Sequence, residues 1–410
     1  MVEVHDRSFV RSQTQISNDH DGMITPSSHC SVGAAQAGES EADWSTLEAV
    51  PRRQRTTPAV LFVSSYLSSA PLERYVSGDL AGRLSSTGWS VAVTSTKINR
   101  FARLLDMLVT VRRRAASYDL AVVDVFSGPA FFWAECVCWL LRRMGKPIML
   151  ALHGGSLPDF ARRWPGRVRR LLRSAADVTT PSGYLKEELR CYHADIRLVR
   201  NPIELGRYSF VCRNHPKPDL VWLRAFCEIY NPSLGPRVVA ALVGEFPAVS
   251  LAMIGPDKKD RSLQRTRATG AKLGVQRHLS FPGAVVKSDV PLALSEGDIF
   301  LNTTNVDSAP VSVLEAMACG LCIVSTNVGG IPYLVEDEKN GLLVPPNDAG
   351  AMAAAVRRVL TEQGLAQRLS RNARTKAEQH DWSVILPQWE QLLAEVALGS
   401  AGPPRPTLPR

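Results

Sequence analysis

Short, continuous apolar runs recur along the chain from Ala59, and each is followed by a longer segment with apolar positions at helical spacing. In the first half the runs are AVLFVSSY, WSVAVTST, DLAVVDVF, PIMLALHG, DVTTPS and IRLVRNP, with helical patterns near 73–86, 99–116, 129–144, 164–174 and 182–190. After the polar VCRNHPKP the rhythm restarts with DLVWLRAF, VSLAMIG, HLSFPG, DIFLNTT, LCIVST and GLLVPP. Helical patterns near 233–246, 260–273, 288–296, 310–319 and 348–361 separate these. Runs without an alternating polar face suit strands buried on both sides of a parallel sheet. Two successive arrays predict an α/β protein with two Rossmann-like, doubly wound parallel-sheet domains of about six strands each, facing across a cleft.

Length agrees with this division, because single cores stop growing near about 250–300 residues and the chain has 410. Residues 1–54 are rich in Ser, His, Asp and Gln and lack sustained periodicity, so a disordered leader is expected there. The Pro-rich segment 398–410 is expected to be a disordered tail. Between them lie a first domain over 55–205, a second over 206–381 and a closing helix over 382–397. No stretch approaches the roughly 18 apolar residues of a membrane span. The nearest, PAFFWAECVCWLLRR, is short and carries Glu135, so it reads as a buried crossover helix. The N-terminus has no apolar secretion signal, which makes cytoplasmic residence the expectation.

Charge and cysteine content narrow the chemistry. The formal charge is +9, with six arginines in RRWPGRVRRLLR (Arg162 to Arg173). Such a run is either a solvated face or a surface that meets anionic lipid headgroups or a phosphorylated acceptor. Nucleic acid is not expected as a partner, since no basic stripe interleaved with aromatics and no known binding module occurs. Cys319 and Cys322 form CGLC. A redox pair would sit at a helix N-terminus; here one cysteine ends a helix and the other enters a strand, so both read as small buried hydrophobes. The one Asp-x-Asp, Asp19-His20-Asp21, lies in the leader, and neither a metal nor a cofactor is expected.

Ligands in doubly wound sheets bind beyond the carboxyl ends of strands, which directs attention to NTTNVDSAPVSVLEAMACGLCIVSTNVGG. A turn carrying Asp307 follows the strand, Pro310 suits an early helical position, and Gly320 suits a left-handed helix end. The amides of Val311, Ser312 and Val313 then point from the positive end of a helix dipole, an anion site. Glu315, a turn further in, would repel phosphate and suits vicinal hydroxyls such as those of a ribose. Asp307 could hold hydroxyls of a second ring.

DSAPVSVLEAMACGLCIVSTNVGGIPYLVED…NGLLVPPND resembles the C-terminal signature of the retaining family 4 glycosyltransferases, which have the GT-B fold. The resemblance implies that Glu315 binds the nucleotide ribose, that Asp307 contacts the sugar, and that Gly329 and Gly330 belong to the donor site. The family usually has Glu where this chain has Asp307. His153 in LALHGGSLPDF resembles the family histidine beside the donor sugar, and two glycines after it permit close approach. The family's Arg-x4-Lys, which grips the donor diphosphate, is half present: Arg224 matches, and Ile229 replaces the lysine. Lys258, Lys259 or a basic residue of the first domain are the open substitutes. Gly78 in SGDL takes the place of the family's first glycine loop, and DWSVILPQWEQLL resembles the terminal helix that crosses back to the first domain.

The resemblance implies a metal-independent hexosyltransferase that retains anomeric configuration. Its donor would be a nucleotide diphosphate sugar and its acceptor a saccharide, polyprenyl-linked saccharide or glycolipid, as in cell-surface polysaccharide synthesis. A peripheral place on an anionic membrane surface fits the basic run. A nucleotide-sugar epimerase of the same fold, or a binding or scaffold protein with impaired catalysis, are the competing readings.

Overall fold

The computed structural model describes residues 57–64, 76–94, 97 and 99–399. The expected leader and Asp19-His20-Asp21 lie outside the described residues, as does the tail beyond Gly399.

Six strands form the first sheet: β1 (Ala59–Val63), β2 (Ser90–Thr94), β3 (Leu120–Val125), β4 (Ile148–Leu152), β5 (Asp177–Thr180) and β6 (Ile196–Leu198). Six more form the second: β7 (Asp219–Leu223), β8 (Ser250–Ile254), β9 (Leu279–Gly283), β10 (Ile299–Asn302), β11 (Cys322–Thr326) and β12 (Leu342–Val344). The orders are β2-β1-β3-β4-β5-β6 and β12-β11-β10-β7-β8-β9. Every pairing is parallel. Each strand coincides with one of the apolar runs.

The first domain carries helices α1 (Val76–Ser86), α2 (Arg100–Arg113), α3 (Pro129–Arg143), α4 (Leu157–Arg163), α5 (Pro165–Leu172) and α6 (Gly183–Leu189). The second carries α7 (Leu234–Leu242), α8 (Ser262–Lys272), α9 (Val290–Ser295), α10 (Val311–Ala318), α11 (Ile331–Leu334), α12 (Ala349–Thr361) and α13 (Leu365–Glu378). The last described helix, α14, spans Trp382–Gly399.

Period-two alternation sends each central strand's side chains to two cores. Leu61 and Val63 of β1 face the core under α2–α6. Val60 and Phe62 face a second core closed by α1 and by Trp382, Ile385, Trp389 and Leu393 of α14. The last helix of the described residues therefore completes the first domain. The two connections between domains run side by side: Ile203 N–H donates to His380 O (2.8 Å) and Trp382 N–H to Ile203 O (3.2 Å).

Some helical features depart from expectation, among them the short α11. The basic run is not one helix, because Trp164 leaves helical geometry (φ −130°, ψ 55°) before Pro165 starts α5. A residue before proline is pushed away from the α region. No helix was expected over α13; its buried side is largely alanine and serine (Ala366, Ser370, Ala373, Ala377), a weak hydrophobic signal.

Candidate active site

Strand order reverses between β1 and β3 in one sheet and between β7 and β10 in the other, and crevices at such points are where doubly wound sheets bind ligands. Arg224 directly follows β7, and the loop carrying Asp307 joins β10 to α10. His153 directly follows β4, beside β3. The fold alone brings these three residues to one cleft.

Helix α10 begins one residue later than expected: Pro310 is its N-cap, with extended backbone (φ −70°, ψ 119°). Gly320 takes the left-handed conformation (φ 78°) that ends it. The amides of Val311, Ser312 and Val313 lack intrahelical acceptors by geometry. Ser312 is 7% exposed, and its Oγ has no hydrogen-bond partner. An orphaned hydroxyl beside free helix amides suits an anionic oxygen.

Glu315 is also 7% exposed, and the Tyr208 hydroxyl donates to its Oε1 at 2.8 Å. Burial pushes the Glu315 carboxyl above the ordinary range, opposed by Tyr208 and by the charges of Lys287 and Arg224. Burial also raises the Tyr208 phenol, helped by the Glu315 charge.

Arg224 ion-pairs with Asp307, and its guanidinium lies 4.4 Å over the Tyr230 ring. Burial draws its pKa below the ordinary value while the Tyr230 and Glu315 charges oppose this. Its Nε has no hydrogen-bond partner, leaving a donor for a ligand. Ile229 contributes backbone only: its carbonyl accepts from Asn305 N–H at 2.8 Å and from Thr304 Oγ1 at 3.3 Å, tying this turn to the Asp307 loop. Besides Arg224, the structure brings Lys287 near Glu315; its Nζ donates to Asp79 Oδ2 across the domains (2.7 Å).

The two glycines after β11 shape the same loop. Gly329 has φ 51°, and Gly330 N–H donates to Asp307 O at 2.8 Å. A Cβ on Gly330 would collide with the Ser308 carbonyl. Their place is behind the loop, as its support.

From the first domain, His153 Nε2 lies 3.2 Å from Asp124 Oδ1 and its ring stacks on Phe126 at 5.1 Å. A carboxylate on one ring nitrogen fixes tautomer and orientation. The turn after His153 abuts the Asp307 loop so closely that a Cβ on Gly155 would stand 2.6 Å from Val306. Ser182 Oγ donates to Ser308 O (2.8 Å) and Asn201 Nδ2 to Ala309 O (2.9 Å), so both domains grip residues 306–309. Gly78 lies within α1, inside the helical pattern expected over 73–86. The thiols of Cys319 and Cys322 are buried and pushed up to about 11 and about 12, chiefly by desolvation, which suits packing and not redox chemistry.

Sequence reasoning missed Asp124, Tyr208, Tyr230 and the Lys287–Asp79 pair. Only Asp124 left a signal, as the lone acid inside an apolar strand. Tyr208 meets Glu315 from 107 positions away and Lys287 meets Asp79 from 208 positions away, while Tyr230, only six residues after Arg224, follows no periodic pattern.

Residues 221–376 match the family described as Glycosyl transferases group 1, and residues 76–207 match Glycosyltransferase Family 4. A D-inositol 3-phosphate glycosyltransferase from Saccharomonospora viridis is 29% identical over 276 residues, covering 60% of this chain and 64% of that protein. The chain thus spans less than two thirds of that relative's length. Among solved structures, sucrose-phosphate synthase from Thermosynechococcus elongatus superposes with a TM-score of 0.71 at 20% identity, over 84% of this chain and 100% of that one. Anabaena HepE in complex with UDP and glucose gives 0.67 at 17% identity, over 82% and 100%.

Proposed function

Since the chain belongs to the family 4 glycosyltransferases, with two Rossmann-like domains facing a cleft, we propose that it transfers a hexose from a nucleotide diphosphate sugar to an acceptor hydroxyl with retention of configuration. The observation that carries this reading is the convergence of Arg224, Asp307, the start of α10 and His153 at one cleft between the sheets. The UDP and glucose held by the HepE structure fit a donor of this class.

Each residue has a defined task. Ser312 Oγ, the first-turn amides of α10 and the unpartnered Nε of Arg224 meet the diphosphate and stabilise the charge that grows on it as the sugar leaves. Glu315 accepts from ribose hydroxyls. Asp307 and His153 contact the transferred sugar, Asp307 while holding Arg224 in place and His153 while held by Asp124. The acceptor oxygen bonds to the anomeric carbon as the bond to the diphosphate breaks, and the acceptor proton passes to the departing phosphate oxygen. These donors supply the positive charge of the step without a metal.

The acceptor class is a saccharide or a lipid-linked saccharide of cell-surface synthesis, met by a protein peripheral to the inner face of a membrane. Among the described residues no helix is long and apolar enough to cross one. A panel of nucleotide sugars, scored for nucleoside diphosphate release with and without saccharide acceptors, tests the reading. Release of one nucleoside diphosphate, with the α-linked product from an α-linked donor, is expected. Calorimetric binding of a donor without release over hours would favour a binding protein instead.

A further inference from the structure

Adjacent helices α2 and α3 carry the same unusual stripe. On α2, Phe101, Leu105 and Arg112 fall on one face by helical spacing, and Phe101 is 87% and Leu105 64% exposed. On α3, Phe132, Trp139 and Arg143 do the same, Phe132 at 52% and Trp139 at 59%. The Arg143 guanidinium lies 4.9 Å over Trp139, and Arg103 over Trp133 (5.4 Å) joins the two helices. Each helix starts at the carboxyl end of a strand, so the apolar residues stand at the cleft end of the stripe and the arginines at the far end.

Beside α3 lies a groove lined by Arg142, Arg169, Arg170, Arg173, Gly166 and Ser174. Two arginines of the basic run are paired with acids of the first domain, Arg162 with Asp159 and Glu188 and Arg167 with Glu135. Among the described residues, Arg142, Arg143, Arg169, Arg170 and Arg173 have no acidic partner. Glu135, the acid within α3, is held by Arg167. The face therefore combines exposed large apolar side chains with uncompensated guanidinium groups. Long cationic side chains flanking aromatic residues are the composition of a surface that lies in a lipid headgroup layer, with apolar tips inserted and charges on phosphates.

We propose that the α2–α3–α5 face docks flat on an anionic bilayer, and that this docking sets the mouth of the cleft, at Phe101 and Phe132, against the lipid surface. The second clause rests on the glycosyltransferase reading and assigns the acceptor to the lipid-linked class. The first stands without it.

Flotation of the full chain with phosphatidylcholine vesicles, alone or with 30% phosphatidylglycerol, tests the surface. Binding is expected on the anionic vesicles only, and weakened by 0.5 M salt. Arg169→Ala/Arg170→Ala/Arg173→Ala should bind roughly 100-fold more weakly, at roughly fivefold per arginine. Phe132→Ser/Trp139→Ser should lose binding as well. Both variants lie away from the donor residues and should release nucleoside diphosphate in lipid-free assays as the parent does, which controls for folding. Equal binding to neutral and anionic vesicles, or undiminished binding by the triple variant, would overturn the proposal. Vesicle binding that holds while no nucleotide sugar is turned over would leave the surface standing and remove the acceptor assignment.

Discussion

The Glu315 carboxyl is 7% exposed and takes the hydroxyl of Tyr208, surroundings in which ionisation is costly. Its folded pKa is raised, chiefly by burial, above an unfolded value of about 4.3. Between the two values the native state binds more protons than the unfolded chain, so stability falls as pH rises through that window, and the cost is complete above the raised pKa. Glu315→Gln keeps an oxygen for Tyr208 and removes the ionisation. At pH 7 the variant should melt higher, by about 1–2 °C per kcal/mol relieved for a chain of this size, and the difference should close as pH falls toward the ordinary carboxylate range. Donor KM should rise about tenfold or more, because a ribose hydroxyl bonds a carboxylate more strongly than an amide. A variant that melts lower at pH 7 would recast Glu315 as a structural partner of Tyr208. Glu315, Asp307, Arg224 and His153 were legible in the sequence because strand ends and a dense local motif mark them. Tyr208, 107 positions from Glu315, could emerge only once the chain had folded.

At the scale of elements, the donor loop owes its shape to the turn between β11 and α11. Gly330 has ordinary helical backbone angles (φ −84°, ψ −3°), so alanine would suit its conformation and fails only for space, against the Ser308 carbonyl. Gly330→Ala must therefore push residues 307–308 outward. A shift of about 1 Å at a reacting centre costs roughly 100-fold in rate, whereas overpacking costs only about 1–3 kcal/mol of stability. The expected outcome is a folded protein by circular dichroism with kcat/KM down about 10–100-fold; unchanged kcat/KM would show the loop to be tolerant of displacement. The strands were legible because both faces of each sheet are covered, which leaves long apolar runs. Where burial uses alanine, as in α13, or where a bend depends on one Trp-Pro junction, as between α4 and α5, the same reading lost resolution.

Across the whole molecule, the two domains are joined by two chain segments that bond to each other, residues 201–205 and 380–382. His380 sits between them, 5% exposed, with Nδ1 2.8 Å from Asn201 O. A ring nitrogen facing a carbonyl must carry the proton, so Nε2 is the unprotonated nitrogen, and it has no partner. Burial lowers the pKa from 6.5 to about 4, with Arg200 and Lys376 adding to the effect and the Asn201 carbonyl opposing it. The unfolded chain binds this proton from about pH 6.5 and the folded chain only near 4. Stability contributed by neutral His380 is thus present above about pH 6.5 and is lost as pH falls toward 4, to an extent of roughly 3 kcal/mol. His380→Gln can still donate to Asn201 O and cannot titrate. Relative to this variant, the parent should lose about 2–5 °C of melting temperature between pH 7 and 4.5. Parallel melting curves for the two proteins over that range would mean that the interdomain junction tolerates a charge. Because both connections meet at this ring, the loss should appear in the junction before either sheet, as earlier proteolysis near residues 200–205 and 380 at pH 5 while the two sheet cores remain protected.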